Sequence, residues 1–318
     1  MEQNIDVNTQ DYKGYTVDVI IPVYHSDDKL NQLLTMLYQQ TVKPNQVILL
    51  QTVEYTGQVQ PVPEIYGSNI SVIPIEKKSF DHGGTRKYGA SLSDADILMF
   101  MTQDAVPEDE FLIEKLLEPY EDPMVAATYA RQLPDAKADL AERYTRYFNY
   151  PKNSRVKDKS DLEELGIKTY FCSNVCATYR NSVYRKLGGF VEKTIFNEDM
   201  IMAAGMIRMD YKIAYAAEAK VVHSHRYSYI QQFTRNFDLG VSHKQYEDIF
   251  RGIKSETEGI KLVKKTLQFL IEKKKYNLIP DLIINSGFKY LGYQLGVRYP
   301  MLPRKWVILF SMNKSYWK

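Results

Sequence analysis

The chain has 318 residues, and its 41 basic and 39 acidic side chains leave a formal charge of only +2, which excludes a nucleic-acid binder that works through a basic surface. A hydrophobic content of 44% is that of a globular protein with a substantial core, either one large domain or a domain with an appendage. Tyrosine is unusually frequent at 25 residues, and rings that are apolar on the face and polar at the tip suit sugar-lined clefts, interfaces, membrane surfaces or the edges of a core.

The N-terminal stretch MEQNIDVNTQDYKGY has neither a basic segment nor an apolar core, so no secretory signal is expected in residues 1–16. VDVIIPVY (17–24) reads as a buried strand, and the helix that follows carries Leu30, Leu33, Leu34 and Leu37 on one face, with Ser26 or Asp27 as its N-cap. NQVILLQT (45–52) and NISVIPIE (69–76) are the next strands, 84–93 reads as a helix, and DILMFM (96–101) is the fourth strand. This βαβ order predicts a mainly parallel, twisted, doubly wound α/β sheet flanked by helices, whose ligands lie beyond the carboxyl ends of the strands. Asp104, in TQDA, lies just past such an end. A helix over 109–118, a strand over 124–130 and a polar stretch over 134–168 follow. Residues 170–190 read as a strand and then a helix capped by Asn181 and stopped at Gly188-Gly189, while 197–209 form a helix that opens on Glu198-Asp199. Residues 211–225 hold one or two strands ending in HSH, which puts His223 and His225 on one side. Cys172 and Cys176 lack the spacing of a zinc site and are expected to be buried free thiols of a reducing compartment.

Taken singly these signals have plain alternatives: Asp104 as a turn acid, Glu198-Asp199 as acids answering a helix dipole, and the histidines as structural groups. Their order resembles a known pattern. VIIPVYHSDDKLNQLLTMLYQQTVKPNQVILL is similar to the N-terminal half of family 2 glycosyltransferases, and FDHGGTRKYGASLSDADILMFMTQDAVPEDEFL resembles their rhamnosyltransferase branch, most closely the bacterial streptococcal-type enzymes that build rhamnan cell-wall polysaccharide on a lipid carrier. The resemblance implies a GT-A fold over residues 17–230, with a nucleotide-sugar half (17–105) and an acceptor half (106–230), while the helical, Lys-rich and aromatic character beyond about 228 sets off a helical C-terminal region (231–318). It implies an inverting transferase that uses dTDP-β-L-rhamnose and a lipid-diphosphate-linked saccharide acceptor. A UDP-hexose donor, or a nucleotide-binding module without catalysis, is the alternative.

The residues then take roles by resemblance. Asp104 matches the second acid of the Asp-x-Asp metal motif, with Thr102 in place of the first, and His223 matches the late histidine ligand, with His225 in reserve. Together with a donor diphosphate they would hold Mn²⁺ or Mg²⁺. Asp199 is the expected base for the acceptor hydroxyl and Glu198 its tuning neighbour. Gly83, Gly84, Arg86, Gln103 and Arg226 are expected around the donor diphosphate, and Pro22, Val23, Tyr24, Thr52 and Glu54 around its base. QFTRNF carries Gln232 and Arg235 of a processivity signature but has Asn236 in place of its tryptophan. The C-terminal region mixes apolar helical faces with Lys261, Lys264 and Lys265 and with Trp306, Tyr316 and Trp317, which predicts a membrane-surface contact or an oligomer interface. No run of about 18 apolar residues occurs, so the expected location is cytoplasmic, peripheral on the inner face of the membrane.

Overall fold

The computed structural model describes residues 14–54, 59, 69–225, 227–251 and 256–317. Among the described residues nine strands form one sheet: β1 (Val17–Val23), β2 (Gln46–Val53), β3 (Ile70–Glu76), β4 (Ile97–Met101), β5 (Val106–Pro107), β6 (Val125–Leu133), β7 (Arg155–Lys157), β8 (Cys176–Arg180) and β9 (Lys212–Val222). Their order is β3-β2-β1-β4-β8-β6-β9-β5, with β7 also paired to β9. β1 to β4 are mutually parallel, as the βαβ pattern predicts. β8 then enters antiparallel between β4 and β6, so the sheet is mixed rather than uniformly doubly wound. An apolar run reads the same in either direction, and its hydropathy alone does not carry its sense.

Alternation along the central strands explains why the sheet is covered on both sides. Val17, Val19, Ile21 and Val23 of β1, with Ile97, Met99 and Met101 of β4, enter one core; Ile20, Leu98 and Phe100 enter the other. The first face is covered by α1 (Asp28–Gln39), whose buried leucines 30, 33, 34 and 37 contribute roughly 6–12 kcal/mol together. Asp27 rather than Ser26 caps this helix, accepting from the Leu30 amide at 3.1 Å. α2 (His82–Ser91) covers the second face and starts two residues earlier than its periodicity indicates, because Asp81 accepts from the Gly84 amide at 2.6 Å.

Helices α3 (Leu112–Leu117), α4 (Leu140–Asn149), α5 (Leu162–Leu165), α6 (Asn181–Lys186) and α7 (Glu198–Arg208) complete the sheet-bearing part. Asn181 is not the cap of α6 but its first residue, since its side-chain amide is occupied by the Ala95 carbonyl at 2.7 Å. Residues 170–175 are not strand, because β8 begins only at Cys176. Gly188 and Gly189, at φ of 83° and 76°, end that segment as expected, and both cysteines are buried and free.

The C-terminal region consists of α8 (Tyr229–Gln245), α9 (Glu247–Phe250), α10 (Glu256–Glu272), α11 (Ile279–Val297) and α12 (Arg304–Phe310). No described helix is long and apolar enough to cross a membrane. Ile195, Phe237, Val241 and Val307 form a third core, against which Tyr316 and Trp317 pack. These two aromatics are therefore corrections to the membrane-anchor expectation: they close a core, and the Tyr316 hydroxyl donates to the Lys193 carbonyl at 3.1 Å. Trp306 is half exposed, and the Lys265 ammonium lies over the Phe148 ring.

α8 and α11 approach so closely that a Cβ on Gly292 would sit 2.2 Å from the Phe233 carbonyl oxygen, and one on Gly296 2.1 Å from that of Phe237. Gly287, on the same helix, faces open space. Gly292→Ala and Gly296→Ala are each expected to cost about 1–3 kcal/mol by forcing the helices apart. Gly287→Ala should be neutral or stabilising by up to about 1 kcal/mol, and urea unfolding of the three variants measures the contrast.

Candidate functional site

The site forms where β1 and β4 end and where the far end of β9 returns to meet them. Val106 pairs with Val222 and Pro107 with Val221, antiparallel. Continuing that register by two residues brings Asp104 opposite Ser224, between the two histidines. The Asp104 carboxylate lies 3.5 Å from His223 Nε2 and 3.2 Å from His225 Nε2. The three residues form a group whose ligand atoms all lie within 4.8 Å of one another.

These are spacings suited to ligands on one octahedral ion, where neighbouring ligands at about 2.1 Å from the metal are about 3 Å apart. Burial lowers the basicity of both rings, that of His223 to about 3 against the opposing pull of Asp104, so they are neutral and offer lone pairs. His223 Nε2 is buried with no hydrogen-bond partner, an orphaned acceptor that a cation would satisfy. The donor set fits a divalent ion.

The second centre is built on the first turn of α7. Asn197 precedes it at φ 68°, a left-handed conformation that asparagine tolerates, and its amide donates to Ser242 Oγ at 3.2 Å. Glu198 is buried and pairs with the equally buried Arg86 at 3.1 Å. The partly accessible Asp199 accepts from the backbone amides of Asn174 (3.1 Å) and Met200 (2.8 Å). Asn174 also donates its side-chain amide to Glu198 at 3.2 Å and accepts from the Tyr179 hydroxyl at 2.8 Å.

Burial alone would raise the Glu198 carboxyl, but Arg86, His82 and the Asn174 amide together hold it below the usual range. Burial and then the Glu198 charge push Asp199 up, to about 7. One acid is held ionised and its neighbour is poised to take a proton near neutrality. Asn174 adjoins Val175, whose carbonyl accepts from the Thr102 amide at 3.1 Å, so the loop that positions Asp199 is stitched to the turn that carries Asp104.

The other sequence-predicted residues divide. Tyr24 is exposed beside Lys77, which pairs with Glu54 at 2.6 Å, and Thr52 Oγ1 is buried without a partner; these line the carboxyl ends of β1 to β3. Pro22 lies half-buried in β1. Val23 points into the core by strand alternation and cannot line a pocket. Gln103 uses both ends of its amide on the backbone of β1's exit, accepting from the Tyr24 amide at 2.6 Å and donating to the His25 carbonyl at 3.1 Å.

Arg86 serves Glu198 instead of facing an open cleft. Gly83 and Gly84 answer to protein contacts: a Cβ on Gly83 would lie 1.9 Å from the Val191 carbonyl oxygen, and one on Gly84 2.8 Å from the Asp81 carboxylate. Arg226 lies outside the described residues. Sequence reasoning missed Asn174, Gln132 and Arg146; residue type and spacing do not mark them, and Gln132 stands next to Arg131 in a strand that also carries Thr128.

Residues 18–188 match the family description Glycosyl transferase family 2. The chain belongs to that family. It is 41% identical to the O-antigen chain rhamnosyltransferase RfbN of Salmonella typhimurium over 303 residues, covering 95% of this chain and 96% of that one. It is also 41% identical to the O-antigen chain rhamnosyltransferase WbaN of Salmonella anatum over 302 residues, covering 94% and 95%. Among solved structures it is similar to the mannosyltransferase PcManGT of Pyrobaculum calidifontis, determined in complex with GDP-Man and Mn²⁺, at a TM-score of 0.53 and 13% identity over 95% of this chain and 85% of that one. It is likewise similar to residues 1–349 of TarS of S. aureus, at a TM-score of 0.52 and 14% identity over 90% and 91%. These likenesses carry the GT-A fold, and the chain is a glycosyltransferase.

Arg86→Leu strands the Glu198 carboxylate in the interior and is expected to cost about 3–5 kcal/mol. Arg86→Leu combined with Glu198→Gln should cost less than the two single changes summed, a non-additivity that urea unfolding at pH 7.5 measures directly.

Proposed function

We propose that this chain is an inverting rhamnosyltransferase that moves L-rhamnose from dTDP-β-L-rhamnose to a lipid-diphosphate-linked saccharide, forming an α-L-rhamnosyl linkage in a surface polysaccharide. The observation that carries the reading is the pairing of two unlike centres at one end of the sheet: a neutral-imidazole and carboxylate cluster at Asp104, and a base at Asp199 raised toward neutrality. The relatives named as O-antigen chain rhamnosyltransferases support rhamnose as the sugar.

The acceptor hydroxyl attacks the anomeric carbon from the face opposite the diphosphate, Asp199 takes its proton, and the anomeric C–O bond breaks with its electron pair going to the diphosphate. A single displacement needs one base and inverts the anomeric centre. The Asn174 and Met200 amides aim the Asp199 carboxylate, and Glu198, fixed by Arg86, sustains its basicity. Asp104, His223 and His225 would hold a divalent ion, which when bound supplies positive charge for the departing diphosphate; two imidazoles favour Mn²⁺ over Mg²⁺. Tyr24, Thr52 and Glu54 are the candidates for the donor base. The exposed Ile283, Tyr290 and Leu291 on α11 and Trp306 on α12 support work at a membrane surface, where a lipid-linked acceptor is found.

Incubation with dTDP-L-rhamnose and synthetic lipid-diphosphate saccharides, beside a panel of UDP-hexoses, should give a product one deoxyhexose heavier only with the rhamnose donor. Asp199→Asn should lower kcat by about 10²–10⁴-fold with donor affinity nearly unchanged. The native kcat/KM should rise with pH and level off above about 7, as Asp199 loses its proton.

Stability runs the other way. The folded carboxyl keeps its proton where the unfolded one, at 3.8, has lost it, so ionised Asp199 penalises folding as pH rises from about 4 to 7. Asp199→Asn should therefore be more stable than the native chain at pH 8, with the difference vanishing near pH 4, as thermal unfolding across that range would reveal.

A further inference from the structure

Gln132 lies at the end of β6, in the register position opposite Val221 of β9, and is buried, as is His223. Its side chain meets three groups. Oε1 accepts from the Arg146 guanidinium of α4 and lies 3.2 Å from His223 Nδ1, while Nε2 donates to Ser173 Oγ at 3.1 Å. The β6–β9 pairing fixes the backbone of the same histidine, whose amide donates to the Leu133 carbonyl at 3.0 Å. Nothing in the sequence motifs or in the family reading assigns these contacts a purpose.

The chemistry of the three partners is restrictive. A guanidinium has only donors, so the amide atom facing Arg146 must be the oxygen. An oxygen without hydrogen can only accept, so His223 Nδ1 must carry the proton. A neutral ring protonated at Nδ1 has its lone pair on Nε2, the atom that lies toward Asp104 and has no other partner. Without Arg146 the amide could turn over, since the Ser173 hydroxyl can donate as well as accept, and would then present N–H to Nδ1 and favour the tautomer with its proton on Nε2.

We propose that Arg146 and Gln132 form a positioning relay that sets the His223 tautomer before any ion arrives, so that Nε2 stands ready as a ligand for the divalent cation. The inference rests on the metal reading given above and adds its cause. Among the described residues no such relay meets the half-exposed His225, which makes His223 the preorganised ligand of the pair.

Two measurements on the full chain test it. Long-range ¹H–¹⁵N NMR of metal-free, histidine-labelled protein, assigned with His223→Asn, should show His223 protonated on Nδ1; protonation on Nε2 overturns the relay. Mn²⁺ titration followed by electron paramagnetic resonance, with and without dTDP, gives the second readout. Gln132→Leu should weaken Mn²⁺ binding about 10–100-fold and reduce the histidine ¹⁴N coupling, whereas Gln132→Glu, which keeps an accepting oxygen, should retain both. Arg146→Met should give a smaller loss, about threefold to tenfold, and it decides the matter if Gln132→Leu fails to fold. Native affinity and coupling in the leucine or the methionine variant would overturn the proposal. If native protein binds dTDP but takes up no Mn²⁺, the metal reading itself falls and the relay with it, a result distinct from a variant that binds like the native chain.

Discussion

The two-residue pairing of β5 with β9 is the contact on which the site depends. Asp104 and the histidines are more than a hundred residues apart in the chain; β6 holds one edge of β9 as far as Val222, and this short antiparallel bridge on the other edge brings the turn after β4 to the end of β9. Once Val106 lies opposite Val222, the carboxylate falls between His223 and His225 without further adjustment. The same bridge ties the carboxyl ends of β1 to β4 to the half of the sheet that begins with antiparallel β8. A mixed sheet thus has a functional consequence here: the reversal at β8 places the loop containing Asn174 beside Thr102, and Asp199 is anchored to that loop.

The second constraint is the buried pair of Arg86 and Glu198. Ion pairs in the interior contribute little net stability, because desolvation offsets most of the attraction. Its value here is in what it does to the next residue. A carboxylate kept ionised beside Asp199, in a setting that already disfavours charge, makes Asp199 a stronger base than a surface aspartate, and the cost is a folded state that carries a strained ionisation. The glycines of HGGT belong to the same structure. With a backbone carbonyl 1.9 Å from where a Cβ would stand, Gly83 lets α2 approach the Val191 segment that leads to α7 and so brings Arg86 to Glu198.

Much of this was legible in the sequence. Apolar runs alternating with helical stripes gave β1 to β4 and α1, and the carboxyl-end rule placed Asp104 at the lip of the sheet. HSH and ED were visible as groups with chemistry. What periodicity does not carry is strand sense, and so the antiparallel entry of β8 was missed. Residue type does not reveal which partner claims a side chain: Arg86 and Gln103 look like groups for a diphosphate but are engaged by Glu198 and by the backbone of β1's exit, and Val23 is turned inward by strand alternation. Tyr316 and Trp317 have the composition of interfacial anchors yet close a core. Asn174, Gln132 and Arg146 were invisible because neutral amides and a lone arginine follow no pattern until the fold brings them to their partners.

Anomalous scattering would test the central claim most directly. In crystals grown with Mn²⁺ and dTDP, a single manganese peak should appear within about 2.0–2.3 Å of Asp104 and His223, with the nucleotide diphosphate on its open side. Clear density for the nucleotide with no manganese at these side chains, or with the ion held elsewhere, would contradict the account.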